Sequence, residues 1–222
     1  MIPIEFLKAQ PYFAGLNSEE LAVIGKFMVE KTYGKGEAVI LEGDRDAAAF
    51  FVVSGVLKYF KTSDEGKELI IRIVLPGDTF NDVAILDKGP NPASAEAMSP
   101  VLLYVIPANE MEKILKLYPR VIANLAGIIA IRARHLFDLV EDLSFRRVLG
   151  RIAKILTGYL GDGASPGPKL TQQEMAAVAG TSREVVGRSL KALQDKGIIR
   201  MERHRIVISD SEALKQEVHS IN

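Results

Sequence analysis

Between Lys31 and Pro107, short apolar or alternating runs are separated by glycines at positions 34, 36, 43, 55, 66, 77 and 89. The runs Ala38–Leu41, Ala49–Val53, Val56–Phe60, Glu68–Leu75 and Val101–Ile106 have strand length, with turn residues between them. That spacing predicts an all-β barrel or sandwich. Asp64-Glu65-Gly66-Lys67 reads as a hairpin tip. Ahead of this region, Asn17-Ser18-Glu19-Glu20 has the form of a helix N-cap, followed by Leu21, Val23, Ile24 and Phe27.

After Pro119 the pattern changes to a helical period. Ile122, Leu125, Ile129, Leu136, Leu139 and Leu143 form a 3-4 seam with Arg132 as its polar interruption. Val121, Ile128, Ile131, Phe137 and Val140 form a second stripe. One apolar stripe packs a helix on its own domain, and a second needs another surface. A symmetric partner helix is the economical choice, with the first seam at the dimer interface and the second on the barrel. A helix buried within one chain is the alternative.

The segment Leu170–Leu193 is the most specific. Thr171 and Glu174 stand in capping-box spacing ahead of Met175, Val178 and Ala179. Gly180 permits a sharp turn, and Thr181-Ser182 caps a second helix whose Val185, Val186, Leu190 and Leu193 are expected inward. Two short helices about such a turn form a helix-turn-helix. Residues 197–200 and Arg205–Ile208 then read as two strands around a tip at Glu202-Arg203-His204, which makes a winged helix. The ordinary alternative is two helices of a bundle. Thr171, Gln172, Gln173, Thr181, Ser182, Arg183, Glu184, Arg188 and Arg203 are the candidate DNA contacts. Arginine bonds a guanine edge bidentately and glutamate accepts from a cytosine amine.

Charge supports this division. The 222 residues carry 28 basic and 28 acidic side chains. Residues 1–143 carry 15 basic and 20 acidic, whereas residues 144–208 carry 12 and 5. A neutral whole therefore contains a basic segment suited to a polyanion. The absence of cysteine excludes disulfides, a thiolate nucleophile and a Cys-held iron–sulfur cluster. No glycine-rich phosphate loop with lysine occurs, and three scattered histidines give no catalytic constellation, so an enzyme is not expected. No apolar run approaches about 18 residues and MIPIEFLKAQ does not read as a signal peptide, so no membrane span and a cytoplasmic location are expected.

The glycine-spaced β region, long helix and TSREVVGRSLKAL motif together resemble the CRP/FNR family of bacterial transcription regulators over essentially the whole chain. The resemblance implies an α+β chain. A cyclic-nucleotide-binding-like β jelly roll would occupy 1–117, a dimerisation helix 118–144 and a winged helix-turn-helix 145–222. Ser182, Arg183, Glu184, Gly187 and Arg188 match the recognition helix of the cAMP-receptor branch, which implies a homodimer on a palindromic double-stranded operator with TGTGA-like half-sites. RNA polymerase and a small effector are the further partners implied. The sensor departs from the pattern. The Gly-Glu and Arg-Ser pairs that hold ribose and phosphate align with Asn81-Asp82 and Pro92-Ala93, and the polar pair on the long helix aligns with Leu136-Phe137. Proline and alanine offer a phosphate no donor side chain. With Arg132, expected to pair with Asp82, these residues form the candidate effector pocket. Lys88 and Arg132 are the cations expected near it. An apolar or aromatic metabolite other than cAMP is expected, with the cofactor unknown. A haem-based gas sensor with His135 as ligand, a cyclic-nucleotide-binding regulatory module, and a pocket that binds nothing are the alternatives.

Overall fold

The computed structural model describes residues 2–45, 47–160, 170–202 and 205–218, without the side chains of residues 159 and 160. It divides into two compact units, one of Met1–Lys61 with Arg72–Leu136, the other of Thr62–Ile71 with Phe137–Asn222.

The first unit opens with α1 (Ile4–Lys8), a 3-10 turn at Pro11–Phe13 and α2 (Ser18–Gly25). The expected cap of α2 is present: Asn17 accepts from the Glu20 backbone N–H, and Glu20 accepts from the Asn17 N–H. Eight strands follow: β1 (Val29–Tyr33), β2 (Ala38–Ile40), β3 (Ala48–Ser54), β4 (Leu57–Thr62), β5 (Glu68–Val74), β6 (Thr79–Phe80), β7 (Ser94–Ala97) and β8 (Val101–Pro107). They form two four-stranded sheets, ordered β1-β8-β3-β6 and β2-β7-β4-β5. The five expected strands are present within one or two residues at their ends, and β1, β6 and β7 are additional. Phe50, Val52, Leu57, Val74, Phe80, Leu103 and Val105 make the core of the barrel. Gly55 turns β3 into β4 with φ +87°, and a Cβ there would lie 2.2 Å from the Pro100 carbonyl oxygen, so this turn requires glycine.

The short helix α3 (Asp82–Asp87) interrupts the sheets after β6, and α4 (Ala108–Leu117) leads into the long helix α5 (Arg120–Phe145). The first turns of α5 pack on a second core made by α1, α2 and α4, through Val121, Leu125 and Ile128. This corrects the seam. Leu125 is 0% exposed, four residues after Val121 on the face turned to its own chain. Leu125 keeps the azimuth of the seam, but at this end of α5 the helices α1, α2 and α4 of the same chain cover it. Conversely, Ile131, Phe137 and Val140, assigned to the barrel face, are exposed, the last two at 73% and 61%. Phe137 and Val140 share one side of α5 with Ile122 and Leu136 and form an exposed apolar strip there, while Ile131 is exposed on the opposite side.

The second unit contains α6 (Val148–Leu160), α7 (Gln172–Ala179), α8 (Arg183–Asp195), β9 (Ile199–Glu202), β10 (Arg205–Ile208) and α9 (Ser211–Val218). Ile152, Leu156, Met175, Val186, Leu190, Leu193, Ile199 and Leu214 close its core. The hairpin tip at 63–67 is present, closed by Ser63 N–H to Lys67 O. Among the described residues, no single helix is long and apolar enough to cross a membrane.

Candidate DNA-binding face and effector pocket

Local chemistry sets the helix-turn-helix. Thr171 Oγ1 accepts from Glu174 N–H while Glu174 Oε2 accepts from Thr171 N–H, starting α7 with both donors satisfied. Gly180 ends it in the left-handed conformation, φ +61°, and a Cβ there would meet Leu143 Cδ2 at 2.6 Å. Ser182 then caps α8, its hydroxyl accepting from Val185 N–H. Val186, Leu190 and Leu193 are buried, as expected, and Val185 is half-buried.

The same geometry leaves Thr171, Gln172, Gln173, Ser182, Arg183, Glu184 and Arg188 exposed and Thr181 half-buried. Glu184 and Arg188 lie four apart and so share one face of α8. The Ser182 hydroxyl, the Glu184 backbone N–H and the Arg183 and Arg188 guanidiniums hold the Glu184 carboxyl below its usual range. It therefore remains an ionised acceptor. β9 and β10 pair antiparallel from Arg205↔Glu202 to Ile208↔Ile199, which builds the wing. Its expected contact Arg203 lies outside the described residues.

At the base of the long helix, Arg146 Nε and Lys154 Nζ each lie 2.5 Å from the Asp142 carboxylate. Arg151 donates to Ala179 O at 2.8 Å and to Arg146 O at 2.8 Å. Asp142 therefore ties the end of α5 to α6, and Arg151 ties α6 to α7. Neither tie was apparent from the sequence, because each depends on how the helices cross.

In the barrel, Asn81, Asp82 and Arg132 come together. Arg132 Nε lies 2.5 Å from Asp82 Oδ2, the pairing the sequence led us to expect. Tyr12 donates to Asp82 as well. Asn81 adopts φ +68°, in the left-handed region that asparagine tolerates. Its Nδ2 donates to Ala48 O and to Asn91 Oδ1. Ala93 is buried and Pro92 half-buried. Leu136 and Phe137, expected to line the pocket, are exposed in the single chain.

The expected cations need correction. Lys88 pairs with Glu112 on α4 and faces solvent. Arg72 on β5 takes its place: its Nη2 donates 2.6 Å to Thr79 O, the oxygen that Arg132 Nη2 reaches at 2.7 Å. Sequence reasoning missed Arg72 because a single arginine in the run ELIIRIV reads as an outward-facing strand position. Burial raises the Tyr59 hydroxyl to about 12, with the Asp82 charge adding to the shift and Arg132 and Arg72 opposing it. His135 is exposed on α5, and no other histidine lies among the described residues. No described imidazole faces the barrel interior, so the described residues do not fit a haem. Among them, no group of three His, Asp or Glu side chains is placed to hold a metal ion.

A jelly-roll sensor followed by a long helix and a winged helix defines an effector-controlled DNA-binding regulator. Residues 30–118 match the cyclic nucleotide-binding domain, and residues 150–217 match the Crp-like helix-turn-helix domain. The chain is 30% identical to the cyclic AMP receptor protein of Thermus thermophilus, over 95% of this chain and 97% of that one. It is 29% identical to the CRP-like cAMP-activated global transcriptional regulator of Mycobacterium tuberculosis, again over 95% and 97%. The fold is shared with TTHA1359, a CRP/FNR-family transcriptional regulator of Thermus thermophilus, at a TM-score of 0.72 and 24% identity, covering 87% of this chain and 100% of that one. The chain belongs to the CRP/FNR family. It is a transcription regulator with an effector-binding domain of the cyclic-nucleotide-binding type and a DNA-binding helix-turn-helix, and not an enzyme.

Proposed function

We propose that the protein acts in the cytoplasm as a homodimer joined along α5. It binds a palindrome of TGTGA-like half-sites and works with RNA polymerase at promoters. Residues 1–117 are the sensor, 118–144 the dimer helix and 145–222 the DNA-binding domain. The observation that carries the reading is the exposed set Ser182, Arg183, Glu184 and Arg188 on the first turns of α8, where a recognition helix meets base edges. Thr171, Gln172, Gln173, Thr181 and Arg203 supply backbone contacts, which position the protein without reading sequence. The exposed strip along α5 supports the dimer.

The effector is a small molecule other than cAMP, bound by the barrel around Asn81, Asp82, Pro92, Ala93 and Arg132. It acts by binding one arrangement of the protein better than another, since equal affinity shifts nothing. Fluorescence anisotropy tests the DNA reading. A labelled palindrome with TGTGA half-sites centred about 34 Å apart should bind at least a hundredfold more tightly than scrambled DNA at matched salt. Equal affinities would overturn it.

A further inference from the structure

Inside the barrel, two guanidinium groups converge on one backbone carbonyl. Arg72 lies on β5 two residues before Val74, a fully buried member of the barrel core. Side chains alternate along a strand, so Arg72 turns to that same inner side. Its Nη2 and the Arg132 Nη2 both donate to the carbonyl oxygen of Thr79. Arg132 also donates to Thr79 Oγ1 at 2.6 Å. Asp82 is paired to Arg132, and among the described residues Arg72 forms no salt bridge of its own. The Asp78 and Asp82 charges both act on Arg72, but among the described residues neither carboxylate forms a salt bridge with it, and the oxygen its guanidinium reaches is the Thr79 carbonyl. Burial and the neighbouring Arg132 charge both lower the Arg72 pKa, which marks the cost of placing it there. A carbonyl dipole is a weak partner for two cations, and an apolar residue would satisfy the barrel core at this position without that cost.

We propose that this cluster receives the acid group of the effector, an oxyanion of a small organic acid or phosphate held between Arg72 and Arg132. The proposal rests on the reading of the barrel as an effector domain and narrows the ligand to an anion. Tyr59 remains protonated, so its hydroxyl can donate to an anion and does not repel it. Next to it, Phe50 and Phe80 stack with centroids 4.7 Å apart and Tyr59 lies 6.2 Å from Phe80, so aromatic rings of the barrel core flank the cluster. An oxyanion competes with the Thr79 carbonyl for the same N–H groups and carries full charge where the carbonyl carries a dipole. Thr79 stands three residues before Asp82, and Arg132 belongs to α5, so occupancy bears on both the α3 loop and the long helix.

The test follows the arginine Nε–H resonances of the ¹⁵N-labelled full-length protein during titration with sodium benzoate, inorganic phosphate, sodium chloride at matched ionic strength, and benzyl alcohol. Arg72 and Arg132 should shift saturably with benzoate or phosphate, at least tenfold below the concentration at which chloride acts, and not with benzyl alcohol. The responding anion separates a carboxylate ligand from a phosphate one. Arg72→Gln should remove the Arg132 response, and Arg72→Lys should keep a weakened one. Chloride acting as well as either oxyanion, or an undiminished Arg132 response in Arg72→Gln, overturns the proposal. Operator affinity measured in parallel separates the two readings. Responding arginines with unchanged operator affinity retain the anion site and remove effector control. Silent arginines with an operator affinity that changes on adding cAMP do the reverse.

Discussion

Arg132 holds Asp82 at 2.5 Å with the carboxylate 2% exposed and the arginine side chain 21% exposed. Asp82 is thus the carboxylate paired with Arg132, whereas Arg72 feels the Asp78 charge more than that of Asp82, and the two ends of the pair are not equivalent. Asp82→Asn keeps the shape but leaves Arg132 without its paired carboxylate beside the Arg72 charge. It should cost about 3 kcal/mol in urea unfolding, the lower end for breaking a buried pair because Arg132 still reaches solvent. Arg132→Met leaves Arg72 to balance Asp82 and should cost clearly less. If Arg132→Met proves the more damaging, Arg72 does not share the charge of this site.

For DNA recognition, Arg183→Ala should relax the preference at one guanine and weaken operator binding by ~1–3 kcal/mol per half-site. Non-specific binding should fall far less. Competition against operators substituted at each position reads this directly. Equal losses at every position would make Arg183 a phosphate contact, not a base contact.

How legible these features are in the sequence depends on how local their causes are. The capping boxes at Asn17/Glu20 and Thr171/Glu174 span four residues each and could be read directly, as could the Gly180 turn. β7, with the sequence Ser-Ala-Glu-Ala, has little strand propensity. It is a strand because β2 and β4 pair with it on both sides, through Ala38↔Glu96 and Tyr59↔Ala95 among others. What covers Leu125 on α5, and the inward turn of Arg72, are likewise fixed only when distant segments pack. For the same reason the site residues on one helix turn could be placed from sequence, whereas the second cation of the barrel could not.

The two ends of α5 give opposite expectations. Val140→Asp adds a charge to the exposed strip, and sedimentation should show monomers whose urea midpoint for the barrel is little changed. Leu125→Asp instead buries a charge in the core shared with α1, α2 and α4. It should destabilise the sensor by several kcal/mol whatever the oligomeric state. A Val140→Asp protein that stays dimeric would move the interface off this strip.

Stability should be flat towards pH 9 and fall above pH 10. Burial raises the Tyr59 pKa to about 12 and also raises those of Tyr12 and Tyr33. Between the unfolded value near 10 and the folded value, the folded chain holds protons that the unfolded chain has released. Stability therefore declines as pH rises, by at most about 1.4 kcal/mol per pH unit for each tyrosine. Urea unfolding between pH 9 and 11 measures the slope, and Tyr59→Phe should reduce it. An unchanged slope in that variant would mean that Tyr59 titrates normally in the folded protein.

Cyclic AMP should not bind at micromolar concentrations. Its phosphate would meet Pro92-Ala93, which carry no donor side chain. Beside them, the Asn81 Nδ2 is already spent on Ala48 O and Asn91 Oδ1, and its buried Oδ1 would turn an acceptor towards any anion nearby. Desolvating an anion there without compensation is unfavourable. The two arginines converge instead on Thr79, where an acid group finds donors. Calorimetry of the full-length protein with cAMP and cGMP should therefore show no saturable heat below about 1 mM, equivalent to less than about 4 kcal/mol of binding free energy. Micromolar binding accompanied by a rise in operator affinity would show that the barrel accepts a cyclic nucleotide without the side-chain clamp. Loss of that binding in Arg72→Gln would then place the phosphate on the arginine pair, and its persistence would place the phosphate at the 92–93 loop on backbone N–H groups alone.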